Sequence, residues 1–260
     1  MSSSLDLASY LPYVANIARN PVRSRPSETG LFTVPENCEV CTTPTDGWAR
    51  CYQCNQHKAT HQDELADLVV PLSYGIKGHT TLGQYYADLQ NYKNGQNPSA
   101  ARNRLKIMAA FYEGIHGLCA TRVLGPVGAR TIVPSGRARQ PPHPLEEIVA
   151  YIQPDAPLIQ AVFVGTARTG RATGLNPDDF AFPQGLTGHM LIVEDAWVQG
   201  NNAQALAIAA RRAGADVVSI VVLGRVLDAG WHQSAGWITA HLEGAQWDPQ
   251  LCPVTGATCP

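Results

Sequence analysis

Two adjacent carboxylates, Glu194 and Asp195, close the apolar run HMLIVED, and the turn-rich stretch AWVQGNN leads from them into an alanine-rich segment. Neighbouring carboxylates repel unless a cation or hydroxyl groups occupy the space between them. The pair therefore asks for a ligand. Gly200 lets the backbone turn tightly, so the N–H groups of Val198, Gln199, Gly200, Asn201 and Asn202 would converge near the start of a helix, as main-chain amides do around a phosphate. Glu194 and Asp195 suit two vicinal hydroxyls of a sugar or a hydrated Mg²⁺. A phosphate beside carboxylates that grip a diol describes a ribose 5-phosphate site.

A second group with chemistry in it is C-x2-C-x9-C-x2-C, formed by Cys38, Cys41, Cys51 and Cys54. Each close pair can make a knuckle whose amides face the sulfurs, and two knuckles present four thiolates to Zn²⁺. With four cysteines available, His57 and His61 are expected to face solvent. Cys119 reads as a buried small hydrophobe. Cys252 and Cys259 admit three readings: an extra metal half-site, a disulfide, or two free thiols. Two cysteines cannot complete a tetrahedral site without a partner such as Cys119 or a histidine.

These residues need elements to hold them. Residues 5–19 have helical spacing, with Pro12 expected to bend or break the helix, and 21–30 read as a linker. Helices are expected over 80–93 and 99–118; in the second, Leu105, Met108, Phe111, Tyr112, Ile115 and Leu118 make one apolar stripe. From residue 130 short apolar runs alternate with helical segments: strands at 129–134, 159–165, 189–195 and 217–227, helices at 143–152 and 202–215. Strands separated by helices imply a parallel sheet. The long Gly-, Thr- and Pro-rich stretch 166–188 has the character of a functional loop. In order, the chain divides into a helix and linker (1–35), a four-cysteine module (36–62), a helical region (63–128), an α/β core (129–245) and a cysteine-containing tail (246–260).

A chain of 260 residues, 45% hydrophobic and 15% charged, can bury a substantial core. A formal net charge of −2 argues against a surface that coats nucleic acid, and no apolar run is long enough to span a bilayer. No signal peptide is legible at the start, so a cytoplasmic location with reduced thiols is expected, which favours metal ligands over a disulfide framework.

The segment LIVEDAWVQGNNA resembles the phosphoribosyl-pyrophosphate (PRPP) signature of type I phosphoribosyltransferases, and the N-terminal four-cysteine module narrows the resemblance to the competence-protein-F-like branch. The resemblance implies an α/β type I phosphoribosyltransferase fold, a mostly parallel sheet flanked by helices, with a zinc-ribbon-like module. It implies that Glu194 and Asp195 bind the ribose hydroxyls, and that Val198 to Asn202 hold the 5-phosphate. Ser135, Gly136, Arg137 and Arg139 would bind pyrophosphate, and Arg168 and Arg171 would lie in a loop closing over the substrate. The partners implied are PRPP with Mg²⁺, a small-molecule acceptor and, as in many relatives, a second copy of the chain. Structural Zn²⁺ completes the set. Two alternatives stand beside the enzyme: a PRPP- or nucleotide-binding regulator without turnover, and a competence-like accessory in DNA processing. The loop departs from the family pattern, because Val198 stands where a hydroxyl side chain is usual. One lost hydroxyl contact costs about 1 kcal/mol of phosphate affinity. An acceptor hood could come from 166–188, from 72–95 or from the tail.

Overall fold

The computed structural model describes residues 7–23, 36–136, 142–166, 174–183 and 185–260. Helix α1 (Leu7–Ile17) runs through Pro12 rather than ending there, and α2 (Tyr52–His61) follows the cysteine module. Then come β1 (Leu68–Pro71), β2 (Tyr74–Lys77), α3 (Gln84–Asn91), α4 (Pro98–Leu124) and β3 (Val127–Ile132). The second half holds α5 (Glu146–Val149), β4 (Val162–Phe163), β5 (Phe180–Ala181), β6 (His189–Trp197), α6 (Asn201–Arg212), β7 (Val217–Asp228) and α7 (His232–His241). No helix among the described residues is long and apolar enough to cross a membrane.

The expected α/β architecture is present: a parallel sheet in the order β1-β7-β6-β3, with helices on its faces. β7 is the central strand, and it is buried along almost its whole length because both faces are covered. Alternate residues serve opposite cores. Leu191, Val193, Val221 and Leu223 pack with α1, α4 and α5, whereas Met190, Ile192, Ile220 and Val222 pack with α6 and the cysteine module. Each such side chain contributes about 1.5–3 kcal/mol of burial free energy.

Several elements differ from the sequence reading. Residues 68–77, expected within a helical region, supply β1 and β2, which pair with β7 one after the other along the same edge. Their apolar run is split at Pro71 and Ser73, so neither half carries a legible period. Residues 159–165 do not join the sheet. Only Leu158 bridges to Arg130 at the edge of β3, and β4 pairs antiparallel with β5. The reason lies in exposure: Val162 and Val164 are 50% and 56% exposed and have no core to enter. The helix expected over 143–152 shrinks to the four residues of α5, whose following turn is pinned by Arg130 donating to the carbonyls of Val149 and Ile152, both at 2.6 Å. α4 runs past the expected end, starting from an Asn97 cap on the Ala100 N–H; its Leu118, assigned to the apolar stripe, is exposed.

The cysteine module is part of the core. Cys38, Cys41 and Cys54 are buried against the α6 face of the sheet. It is also not a pair of knuckles. Cys38 and Cys41 lie on a turn closed by a bridge between Asn37 and Pro44, while Cys51 caps α2 and Cys54 occupies its first turn.

Candidate functional site

α3 reaches the sheet unusually closely. A Cβ on Gly224 of β7 would collide with Leu89 of α3, and a Cβ on Gly75 of β2 would sit only 2.9 Å from it. Glycine at both positions lets α3 lie flat across β2 and β7. Its end, Tyr92 and Lys93, is thereby delivered to the carboxyl-terminal edge of β6. β3 and β6 end at that edge as well, the usual binding edge of a parallel sheet.

The result is a cavity of about 540 Å³, within the range of small-molecule sites. It brings together Ser135 and Gly136 after β3, Glu194 and Asp195 near the end of β6, and Val198, Gln199, Gly200, Asn201 and Asn202 at the β6–α6 corner. Of the residues assigned to the site by sequence, Arg137, Arg139, Arg168 and Arg171 lie outside the described residues. The walls come from Leu89, Gln90, Asn91, Lys93, Asn94 and Gly95 on one side and from His143 and Phe163 on the other. Of the candidate hood segments, 72–95 therefore reaches the cavity, whereas the tail packs elsewhere, with Trp247 edge-on to Phe111 of α4.

The carboxylate pair is settled partly within the chain. Tyr92 donates its hydroxyl to Asp195 Oδ2 at 2.7 Å, and Lys93 Nζ stands 2.5 Å from the same oxygen. Sequence reading did not find either residue, since they lie about a hundred positions upstream at the end of a separate helix. Burial opposes ionisation of Asp195, but the Lys93 charge and the bonds from Lys93 and Tyr92 outweigh it and hold Asp195 below its ordinary value. Glu194 differs. Burial first, and then the neighbouring Asp195 charge, push it well above the usual carboxylate range. Its Oε2 is buried and has no hydrogen-bond partner among the described residues, a rare state for a buried polar atom. The two carboxyls are thus shifted in opposite directions.

This asymmetry has a measurable consequence. Above about pH 4.5, the ordinary glutamate value, an unfolded chain releases the Glu194 proton while the folded chain keeps it. The unfolded state then binds fewer protons, so this group's contribution to stability falls as pH rises until the folded state titrates as well. Asp195 acts oppositely, stabilising above its ordinary value and losing that contribution on acidification. Glu194→Gln is expected to flatten the decline in melting temperature between about pH 5 and pH 8. Melting curves at fixed ionic strength check this; parallel pH profiles for the two proteins would remove Glu194 as the proton holder.

The corner itself is built around Gly200, at φ 77° and ψ 9°, which caps α6 without a side chain. Gly200 has no side chain with which to cap α6, and Asn202 and Ala203 line the cavity. Trp197 is 1% exposed, with its ring beneath Gly200. Arg225 is structural. Its Nη1 donates to the carbonyls of Trp197 at 2.6 Å and Val198 at 2.9 Å, and its Nε donates to Thr43 Oγ1 at 2.7 Å.

The cysteine module reaches the same corner from another side. His57, expected at the surface, is buried, and its Nε2 donates to Asn201 Oδ1 at 2.8 Å; Gln53 Nε2 donates to the same oxygen at 3.3 Å. Burial lowers the His57 pKa, leaving a neutral ring. The four sulfurs of Cys38, Cys41, Cys51 and Cys54 lie within 4.8 Å of one another, with Cys41 and Cys51 at 3.7 Å. Four zinc–sulfur bonds of ~2.3 Å at tetrahedral angles require sulfurs roughly 3.8 Å apart. The cluster fits that ion, with Thr43 Oγ1 at 3.2 Å from the Cys41 sulfur linking it to Arg225. No protein-family model, curated protein or solved structure matches this chain.

Proposed function

We propose that the cavity at the ends of β3 and β6 binds PRPP, and that the chain is a phosphoribosyltransferase with a type I fold, moving the 5-phosphoribosyl group to a small nucleophilic acceptor. The observation that carries this reading is the buried Oε2 of Glu194, which has no hydrogen-bond partner among the described residues and lines a polar cavity beside a helix start capped by a glycine. A hydrogen-bonding partner is missing at Glu194 Oε2 and an anion suits the helix start. A ribose 5-phosphate supplies both.

Within this reading the amides of 198–202 hold the 5-phosphate, and Glu194 and Asp195 meet the ribose hydroxyls. The bond from ribose C1 to the pyrophosphate oxygen breaks, the acceptor's lone pair forms the new bond to C1, and the acceptor releases its proton. Positive charge on the ring in the transition state is stabilised by the Asp195 anion. Lys93 lies close enough to exchange its partner from Asp195 to a substrate oxygen once the ribose hydroxyls satisfy that carboxylate. Mg²⁺, brought with PRPP, would neutralise the departing pyrophosphate. Ser135 and Gly136 would receive that group.

A second reading, binding without turnover, is favoured by one observation: Lys93 and Tyr92 already satisfy Asp195, and no loop hydroxyl compensates. Pyrophosphate release separates the two. With PRPP, Mg²⁺ and a panel of nucleobases and amines, the transferase reading expects acceptor-dependent pyrophosphate, lost in Asp195→Asn. Saturable PRPP binding without release across the panel would replace it with the binding reading.

A further inference from the structure

Away from the cavity, the far end of α4 meets the tail. We propose that His116, Cys119, Cys252 and Cys259 form a second zinc centre, which fastens residues 246–260 to α4. The four ligand atoms lie within 4.8 Å of one another, with His116 Nδ1 at 3.1 Å from the Cys259 sulfur and 4.0 Å from that of Cys119. Zinc with three sulfurs and one nitrogen needs separations of roughly 3.6–3.8 Å, so small shifts close the tetrahedron. His116 and Cys119 are one turn apart on α4 and share a face.

Three features set this cluster apart from thiols that merely meet. The first is the imidazole. His116 Nε2 donates to the Pro249 carbonyl at 2.7 Å, which fixes the ring and leaves the Nδ1 lone pair toward the sulfurs. Metal-bound histidines are oriented in this way. A disulfide would have no use for it.

The second is the turn that carries Cys252. At Cys38, the N–H donates to the carbonyl five residues on (Thr43, 2.7 Å), the carbonyl accepts from the N–H four residues on (Thr42, 2.9 Å), and that residue has φ 59°. At Cys252 the same three features recur: N–H to the Ala257 carbonyl at 2.9 Å, carbonyl from the Gly256 N–H at 2.7 Å, and φ 72° at Gly256. The tail therefore repeats the knuckle of the first metal cluster, with Thr255 where Cys41 stands. The missing sulfur is made up by α4.

The third is placement. His116, Cys119 and Cys252 are buried and Cys259 is exposed, so an ion can enter and then be sealed. Arg23 joins the two knuckles: its Nε donates to the Pro253 carbonyl at 2.6 Å, its Nη1 to that of Glu39 at 3.4 Å and its Nη2 to that of Val69 of β1 at 2.7 Å. The donor set and tetrahedral arrangement select zinc among common cellular metals.

The test is the metal content of the full chain, purified under reducing conditions and dialysed. Two zinc ions per chain are expected, falling to one in Cys259→Ser, a substitution at an exposed position whose far-ultraviolet circular dichroism checks that the chain stays folded. Zinc absorption-edge fine structure of the wild type is expected to average a four-sulfur centre with one of three sulfurs and one nitrogen. One zinc in both proteins, with sulfur-only coordination, would overturn the proposal, as would a mass shift showing two of these cysteines joined in a disulfide in freshly prepared protein.

Discussion

Gly200→Ala is expected to destabilise the protein by about 2–5 kcal/mol and to abolish sugar-phosphate binding. Two penalties act together at this position. A φ of 77° costs an L-residue about 1–2 kcal/mol. The new methyl would also enter the space of the Trp197 ring, and overpacking of this kind costs a further ~1–3 kcal/mol. The ring has nowhere to go: it is fully buried, and Arg225 holds the carbonyl of its own residue. Relief must come from moving the corner, which scatters the amides proposed to hold the phosphate. Gly78 is the control. It has the same φ of 77° but nothing within 4 Å of an added Cβ, so Gly78→Ala carries the backbone penalty alone. Urea unfolding of both variants separates the two terms; equal losses would mean that Trp197 does not brace the corner.

The second large effect is expected from removing zinc at Cys38, Cys41, Cys51 and Cys54, by chelation or by Cys41→Ser. Structural zinc supplies on the order of 10–16 kcal/mol of apparent binding free energy in small zinc modules, comparable with the whole stability of a typical domain. Here the loss would not stay local. Three of the four cysteines are packed into the core on the α6 face. Thr43 would release Arg225, which would loosen the carbonyls of Trp197 and Val198, and α2 would withdraw His57 and Gln53 from Asn201. A fall of many degrees in melting temperature is expected, together with loss of ligand affinity before global unfolding. Calorimetric melting with and without chelator checks it. A chelated protein that keeps its ligand affinity would show the module to be independent of the corner.

How far the sequence foretold this molecule depends on the reach of each interaction. Glu194, Asp195 and Gly200 are contiguous, so their strand, corner and helix were legible as a unit, and the structure brings them to one cavity with Ser135 and Gly136. The cysteine spacing announced, for the same local reason, a cluster that could hold a metal ion. Tyr92 and Lys93 carried no signal, because only the close packing of α3 through Gly75 and Gly224 delivers them to Asp195. His57 looked like a surface residue on a polar helix until Asn201 arrived from the other half of the chain. β1 and β2 were hidden because four-residue strands interrupted by Pro71 and Ser73 have no period to read. Cys119 passed for a small hydrophobe, since Cys252 and Cys259, which meet it and His116, are more than a hundred residues away.

The most direct measurement is a calorimetric titration of the full chain with PRPP and Mg²⁺, set beside the Glu194→Gln plus Asp195→Asn double variant. Hydrogen bonds to charged groups contribute about 1.5–3 kcal/mol each, so saturable one-to-one binding by the wild type and an affinity at least ~100-fold weaker in the variant are expected. A wild type that does not bind PRPP, or a variant that binds it equally well, would contradict a ribose phosphate held between these acids and the amides of the β6–α6 corner.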